Sequence, residues 1–276
     1  MNPEPPITKT LNLKILRMEE YYKKVGEYYS EDAKEFDKRY EENFVLKRLR
    51  RDFREITLKF LKRKPKRILE IGFGTGLDLE FFTNEFKDAE VWGLEVAEGM
   101  LKEAQKRLKG TKNVKLFLGS LETLEIPTSF DLIYSYFGAV NTVYDLEGFS
   151  KSLSKISHKD TVLVFSCVNK FYLFDIFFNL LRLRFKKAFE RVKGWKGYSP
   201  YKEIDSKPLS YWDVKKYFRD WEVVFYKGYS ILYPAWYRAH RFKEERVEIL
   251  WRIDKILNNT PFRYFGEYSL YVLRRI

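Results

Sequence analysis

The stretch Arg67–Phe82, RILEIGFGTGLDLEFF, decides the fold of this chain. Its first five residues alternate and carry branched apolar side chains, which predicts a short buried strand. Glycines follow at positions 72, 74 and 76, and the apolar residues beyond them recur at roughly helical spacing. A strand, a glycine turn and a helix allow the backbone to approach a ligand closely and direct helix N–H groups towards it. The stretch therefore predicts a ligand-binding turn at the carboxyl end of a strand.

The residues around these glycines narrow the class of ligand. The dinucleotide fingerprint G-x-G-x-x-G needs a third glycine where this chain has Leu77, and this disfavours a nicotinamide oxidoreductase. The pattern is instead E-x-G-x-G-x-G, and the Glu70 carboxylate suits a cationic ligand better than a pyrophosphate. This pattern resembles the first motif of the class I S-adenosylmethionine (SAM)-dependent methyltransferases. The alternative is an ordinary glycine turn.

A second acidic residue supports an adenosine ligand. The segment Glu90–Val96, EVWGLEV, predicts the next strand and places Glu95 nineteen positions after Gly76. An acid about twenty residues beyond the glycine turn is the residue that binds the ribose hydroxyls of such ligands, although a surface glutamate at a strand end would look the same. The resemblance implies SAM as cofactor. The residues predicted to bind it are Tyr40, Glu70, Gly72, Phe73, Gly74, Gly76, Glu95, Val96, Ser120, Leu121, Tyr136 and Phe137.

The composition bounds the remaining possibilities. The 276 residues are 45% apolar and 18% aromatic, and the net charge is +13. This charge suits an anionic partner, but a 33% charged chain rich in Lys and Glu also resembles a thermophile surface. The single cysteine, Cys167, excludes a disulfide framework, and no metal site is predicted. The start MNPEPPITKT lacks an apolar leader core, so a cytoplasmic protein is expected.

Strands and helices alternate from residue 67 onward, which predicts an α/β fold with helices on both faces of a sheet. The resemblance implies a Rossmann-like, seven-stranded, mostly parallel sheet with the last strand antiparallel. The predicted strands are 67–72, 90–96, 114–119, 130–137, 161–168, 222–231 and 268–275. Helices are predicted at 8–24, 27–42, 44–62, 76–86, 97–109, 145–157 and 210–219.

The predicted domains are an N-terminal helical cap, 1–64, and a SAM-binding domain, 65–276, with insertions at 169–209 and 232–267. Ligands of open α/β sheets lie outside the carboxyl ends of the strands. Both insertions begin at this edge, so they are expected to roof the acceptor site together with the N-terminal helices. In quinone-methylating relatives a segment just before the glycine strand closes over SAM, and Phe36, Asp37 and Tyr40 lie at that place.

Two departures from the family pattern bear on the substrate. The acid that often follows the third strand is replaced by Ser120, which leaves the adenine contact open. The exit of the fourth strand reads Tyr136-Phe137-Gly138-Ala139 instead of an Asn/Asp-Pro-Pro-Tyr/Phe stretch, and this disfavours base amines and glutamine amides as acceptors. A group of uncharacterised bacterial methyltransferases shares Phe-Gly-Ala-Val/Leu-Asn at this place.

The first insertion opens FYLFDIFFNLLRLRFKK. Asp175, Asn179, Arg182 and Lys186 recur at three or four residues and predict one polar stripe on a helix. Two interpretations stay open, a lid helix with its polar stripe in solvent and a membrane-surface helix within 170–190. Between Lys170 and Trp221 there are thirteen Lys or Arg against six Asp or Glu. This excess favours an anionic or membrane-borne acceptor.

The leading hypothesis is methyl transfer to a small-molecule or lipid-like acceptor by in-line displacement. Tyr136, near the sulfonium, and His240, in the second insertion, are the candidate catalytic residues, because aromatic faces favour a cation and histidine takes a proton near neutral pH. The alternatives are an RNA or protein methyltransferase, for which nucleic acid is the less favoured partner, and a non-catalytic SAM-binding or membrane-associated module.

Overall fold

The computed structural model describes residues 6–196 and 204–276, so residues 1–5 of the predicted cap and 197–203 of the first insertion lie outside it. Its strands are β1 Arg67–Ile71, β2 Glu90–Glu95, β3 Val114–Leu118, β4 Phe130–Ser135, β5 Ser157–Val168, β6 Trp195–Lys196, β7 Asp205–Ser206, β8 Trp221–Tyr229 and β9 Tyr268–Arg275. Seven of them form one sheet in the order β3-β2-β1-β4-β5-β9-β8, and β6 pairs with β7 in a separate ribbon.

The direction of the strands confirms the expected sheet. β1 pairs in parallel with β2 and β4, and the parallel pairing extends to β3 on one side and β5 on the other. β9 is antiparallel to both β5 and β8. Because β1 to β5 are parallel, their carboxyl ends meet at one edge, where the glycine turn after β1 also lies.

The helices are α1 Pro6–Glu42, α2 Phe44–Phe60, α3 Leu77–Glu85, α4 Glu98–Arg107, α5 Leu146–Lys155, α6 Leu173–Leu181, α7 Phe185–Ala188, α8 Glu190–Lys193, α9 Tyr211–Tyr217 and α10 Glu244–Leu257. Two predicted N-terminal helices are in fact the single helix α1. Gly26, where the prediction broke the helix, lies inside it, and a Cβ there would stand 2.5 Å from the Val96 carbonyl oxygen. The glycine therefore permits close docking of α1 on the end of β2.

The core lies on both faces of the sheet. On one face α2 and α3 pack through Phe53 and Phe82 against β1 and β4, and α10 joins them through Trp251. On the other face α5 and α9 pack through Phe149 and Phe218. This two-faced burial explains the nearly continuous apolar runs of the central strands.

The two insertions differ in how they attach to the body. The first contains α6, α7, α8 and the β6–β7 ribbon, and the second contains a 3₁₀ turn, Trp236–Arg241, followed by α10. The buried Asp254 carboxylate on α10 accepts hydrogen bonds from the N–H groups of Ile231 and Leu232, each at 2.8 Å. These bonds fix the start of the second insertion beside the end of β8.

Candidate active site

A cavity of about 490 Å³ lies at the carboxyl ends of β1 to β4, beneath α1. This volume falls within the range of small-molecule sites. The glycine turn, the ends of β2 and β3 and the exit of β4 form its floor, while α1, α2 and the 3₁₀ turn of the second insertion enclose it. Nine predicted cofactor residues line it, namely Tyr40, Gly72, Gly74, Glu95, Val96, Ser120, Leu121, Tyr136 and Phe137.

The turn after β1 brings backbone directly to the cavity wall. Gly72 and Gly74 have φ values of 73° and 56°, in the left-handed region that favours glycine. A Cβ on Gly72 would stand 2.4 Å from the Ala139 Cβ, so a larger residue would collide with the exit of β4. The Gly74 N–H donates a 2.9 Å hydrogen bond to Glu95 Oε2, and this bond joins the glycine turn to the end of β2.

Glu95 is the central carboxylate of the floor. It is buried, and its Oε1 accepts hydrogen bonds from the N–H groups of Val96 at 2.8 Å and Ala97 at 3.0 Å. Burial raises the pKa of this carboxyl, while the three backbone hydrogen bonds act in the opposite direction. Each carboxylate oxygen can accept more than one hydrogen bond, so Glu95 retains capacity for ligand hydroxyls.

Arg50 on α2 brings a buried cation to the wall, and the sequence reasoning missed it. Its side chain lies between two aromatic rings, 4.3 Å from the Tyr40 centroid and 4.7 Å from the Phe137 centroid. Its Nη1 contacts Asp78 Oδ2 at 2.7 Å, and Arg54 Nε contacts the other oxygen of Asp78 at the same distance. The Arg50 Nε is buried without a hydrogen-bond partner among the described residues. The site therefore contains a fixed positive charge with unused donor capacity.

The exit of β4 forms an aromatic wall. Phe137 has a φ of 55°, which is unusual for a bulky residue, and its N–H donates to Ser166 Oγ at 2.7 Å. Tyr136 is buried, and its hydroxyl lies 2.5 Å from Thr57 Oγ1 on α2. Burial holds the pKa of Tyr136 well above its usual range. The hydroxyl is thus engaged with α2, and the ring is what this residue presents to the cavity.

The region after β3 supplies a carboxylate two residues later than the family pattern. Ser120 and Leu121 both line the cavity, and so does Glu122. The Tyr22 hydroxyl on α1 donates to Glu122 Oε2, and burial raises the pKa of this carboxyl. This end of the cavity therefore has an acidic acceptor, Glu122, although Ser120 replaces the acid of the family pattern.

Three predicted cofactor residues lie off the cavity wall. Glu70 is buried, accepts a 2.9 Å hydrogen bond from the Tyr134 hydroxyl, and has a pKa held well above its usual range by burial and by Asp78. Phe73 packs into the core, where a Cβ on Gly93 would stand 2.6 Å from its ring. Gly76 caps α3 and lies against Ala104 of α4. These three residues support the glycine turn without lining the cavity.

His240 also lies away from the cavity. Its side chain is exposed, and Arg241 Nε donates to its Nε2 at 3.4 Å. The same 3₁₀ turn directs Trp236 and Tyr237 into the cavity instead. The expected role of His240 as a base therefore finds no support in this geometry.

The first insertion does not line the cavity within its described residues, contrary to the expectation that both insertions roof it. It supports the second insertion instead. Arg238 Nη2 contacts Asp175 Oδ1 of α6 at 2.6 Å, and Arg191 Nη2 of α8 donates to the Tyr237 hydroxyl at 3.2 Å. The insertion therefore acts on the site through the 3₁₀ turn.

The largest group of residues that sequence reasoning missed belongs to α1. Its cavity-lining members are Tyr22, Val25, Tyr28, Tyr29, Asp32 and Arg39, and they lie beside Phe36, which the sequence did indicate. The aromatic spacing along this segment was visible in the sequence, but it could not say which way the helix faces. Thr75 Oγ1 donates to Asp37 at 2.5 Å, and Arg107 of α4 also donates to Asp37. Asp37 thus fixes α1 across the glycine turn.

Comparison with known proteins shows which proteins this chain is similar to. Residues 68–158 match a methyltransferase domain family. An uncharacterised protein of Methanocaldococcus jannaschii is 27% identical over 87% of this chain and 83% of its own length. A malonyl-[acyl-carrier protein] O-methyltransferase of Bacillus anthracis is 32% identical over 36% of each chain. A SAM-dependent methyltransferase structure from Clostridium acetobutylicum has a TM-score of 0.54 at 15% identity, with 81% of this chain and 89% of that chain covered, and shows the same fold.

The chain is similar to the class I SAM-dependent methyltransferases through the domain match over residues 68–158, and SAM is the cofactor that this likeness indicates. The residues at the cavity fit this group. Glu95 offers a carboxylate for ribose hydroxyls, and the unpartnered Nε of buried Arg50 offers a donor for a carboxylate. Tyr136 and Phe137 add aromatic faces, which favour a cationic centre.

Proposed function

We propose that the acceptor of this methyltransferase is a small-molecule or lipid-like compound with an anionic group. When bound, SAM supplies a methyl group that is already activated on a positively charged sulfur. The chain's own contribution is then alignment and exclusion of water, effects worth about 7–11 kcal/mol when the geometry is near ideal.

The observation that carries this proposal is the composition of the wall beyond the predicted cofactor contacts. That part of the cavity is formed by Tyr28, Tyr29, Trp236, Tyr237 and Tyr268. Aromatic rings bury large apolar area and present polar edges, which suits an apolar acceptor body with one polar end. A cavity of about 490 Å³ beneath α1 suits a small or narrow acceptor.

The residues available for proton transfer support an acceptor atom that needs no strong base. The chain has two histidines, and neither lines the cavity. His158 lies beside Asp131 near the amino end of β4, where its Nε2 is 3.3 Å from Asp131 Oδ1. A carboxylate oxygen is nucleophilic without losing a proton at neutral pH. The net charge of +13 attracts such an anion.

We propose the following roles within the site. Glu95 would hold the ribose, Arg50 the carboxylate of the methionine portion, and the N–H groups of the glycine turn would contact the same portion. Glu122 would accept from the adenine amino group in place of the acid missing at Ser120. Tyr136 and Phe137 would face the sulfonium. The malonyl-[acyl-carrier protein] O-methyltransferase relative supports an oxygen acceptor next to an acyl group.

A labelling experiment tests the proposal. The protein is incubated with methyl-labelled SAM and an extract of the source organism, which is then separated into lipid, polar, protein and nucleic-acid fractions. We expect label in the lipid or polar fraction, and much less of it with a Glu95→Ala control at a limiting concentration of SAM. Label confined to RNA or protein would overturn the proposed acceptor, and SAM binding without any labelled acceptor would point to a non-catalytic module.

A further inference from the structure

Helix α6 exposes apolar side chains to solvent and turns polar ones towards the protein, the reverse of an ordinary surface helix. The solvent-facing residues of α6 are Leu173, Phe177 and Leu181, whose exposed fractions are 39%, 54% and 64%. They are spaced by four residues and therefore share one face. This arrangement differs from that of a lid helix with the polar stripe of Asp175 and Asn179 in solvent, and it fits the membrane-surface interpretation that the sequence also left open. Asn179 is buried, and Asp175 pairs with Arg238 of the second insertion at 2.6 Å.

The apolar surface continues beyond α6. Seven large apolar side chains between Leu173 and Phe189 are 38–76% exposed. Leu183, at the turn between α6 and α7, is the most exposed of them and has a φ of 56°. A bulky residue in the left-handed region is strained. The chain thus holds a leucine outward in an unfavourable conformation, and an apolar surface of this extent marks an interaction site.

The charges around this surface indicate the partner. Arg182, Arg184, Lys186 and Lys187 are all exposed, and none of them forms an ion pair within the described ranges. A second copy of the chain seated on the same face would bring these like charges together, which disfavours self-association. An apolar face flanked by cations is the pattern that enters the headgroup region of an anionic bilayer.

We propose that the segment from α6 to α8, residues 173–193, docks this protein on an anionic lipid surface. Leu173, Phe177, Leu181 and Leu183 would enter the boundary between headgroups and acyl chains, while the four cations contact lipid phosphates. The contact is peripheral, because no helix within the described residues is long and apolar enough to cross a bilayer.

The same segment connects the lipid surface to the active site. Asp175 and Arg191 contact Arg238 and Tyr237 of the 3₁₀ turn, and Tyr237 lines the cavity. The docked face therefore lies about one helix diameter, roughly 10 Å, from the wall of the site. In this part the inference rests on the proposed function, since it makes a membrane-borne amphiphile the source of the acceptor.

Vesicle binding by the full-length protein tests the docking separately from methyl transfer. Cosedimentation is measured without SAM, with phosphatidylcholine vesicles and with vesicles containing 30% phosphatidylglycerol. We expect binding to the anionic vesicles only. Phe177→Ser/Leu181→Ser should weaken it at least tenfold, and Lys186→Glu/Lys187→Glu should remove the preference for anionic lipid. Leu16→Ser, at an equally exposed apolar position on α1, is the matched control and should bind normally.

Each contrary outcome overturns the docking proposal without affecting methyl transfer. These outcomes are failure of the wild-type protein to bind anionic vesicles, equal binding by the Phe177→Ser/Leu181→Ser variant, and a wild-type dimer that this variant converts to a monomer. Calorimetric binding of SAM by every variant verifies that the fold is intact. If vesicles bind but label enters only polar compounds, docking stands and the lipid origin of the acceptor is wrong.

Discussion

At the scale of single residues, Glu95 has the clearest predicted role. Its carboxylate accepts three backbone hydrogen bonds and faces the cavity. We expect Glu95→Ala to weaken SAM binding at least tenfold, because a hydrogen bond to a charged group contributes about 1.5–3 kcal/mol. Isothermal calorimetry measures the change. Glu98→Ala removes a nearby exposed carboxylate that pairs with Lys102, and should leave the dissociation constant unchanged. An unaltered constant in Glu95→Ala would contradict the assigned ribose contact.

The proposed contact between Arg50 and the carboxylate of SAM can be tested by comparing SAM with a ligand that lacks this carboxylate. Arg50→Met should weaken SAM binding by roughly 10- to 100-fold, on the scale of a lost charge-assisted hydrogen bond. It should leave 5′-methylthioadenosine binding nearly unchanged, because that ligand lacks the carboxylate. Arg54 still pairs with Asp78 in the variant. Arg51→Met, at an exposed neighbouring position, is the control. An equal loss for both ligands would assign Arg50 a purely structural role.

A substitution at Tyr136 tests whether its hydroxyl has a structural or a catalytic role. Tyr136→Phe keeps the ring but removes the 2.5 Å contact with Thr57. We expect the free energy of unfolding to fall by about 1–3 kcal/mol, since the buried Thr57 hydroxyl loses its partner. The rate of methyl transfer should change less than threefold. A hundredfold loss of kcat at unchanged KM would instead make this hydroxyl catalytic, a role beyond the aromatic contact with the sulfonium that the sequence indicated.

At the scale of elements, the docking of α1 decides whether the site is covered. Gly26→Ala on an ordinary helix would raise the free energy of unfolding by about 0.5–1 kcal/mol. Here the new Cβ meets the Val96 carbonyl oxygen, so we expect the opposite sign, with a lower melting temperature and weaker SAM binding. Lys23→Ala, exposed on the same helix, serves as the control for helix propensity. Stabilisation by Gly26→Ala would show that α1 does not pack as described.

The sequence predicted the elements better than their orientation. All seven strands of the main sheet lie within four residues of their predicted bounds, because apolar runs flanked by turns report burial directly. The sequence left the exposed face of α6 open between a lid and a membrane-surface interpretation, since helical periodicity gives two stripes and does not decide which of them meets the protein. Asp175 faces inward only because Arg238, sixty-three residues later, supplies a partner.

The same reasoning explains the mixed result at the site. Glycine spacing indicated Gly72 and Gly74, which line the cavity, because a positive φ and a close backbone approach at these positions favour glycine. Glu70 was expected in the site, but its carboxylate lies against Tyr134 in the core. Arg50 carried no local signal, because its role depends on rings and a carboxylate from α1, α3 and the exit of β4.

At the scale of the whole molecule, stability should depend on pH through buried carboxylates. Burial raises the pKa of Asp254 to about 7. The folded state therefore holds this proton more tightly than the unfolded state, and the stability that it contributes at low pH is lost as pH rises towards 7. We expect the free energy of unfolding of Asp254→Asn, relative to that of the wild type, to rise by roughly 2 kcal/mol between pH 5 and 7.

Urea denaturation at both pH values measures this difference. The comparison isolates Asp254 from the other buried carboxylates, since they are common to both proteins. Asp220→Asn, at an exposed carboxyl whose pKa is lowered by Arg275, should not show an increase over the same interval. A constant difference between Asp254→Asn and wild type would mean that the backbone N–H groups of Ile231 and Leu232 keep the carboxylate ionised throughout.

The continuity of α1 has a consequence for the timing of catalysis. A single non-helical residue, Asn43, joins it to α2, and the Asn43 side chain both caps α2 and donates to the Trp236 carbonyl at 2.8 Å. Because α1 is one helix of about 55 Å, we infer that it uncovers the cofactor by pivoting as a unit about Asn43. We therefore expect the first turnover to outpace those that follow, with release of the spent cofactor as the slow step.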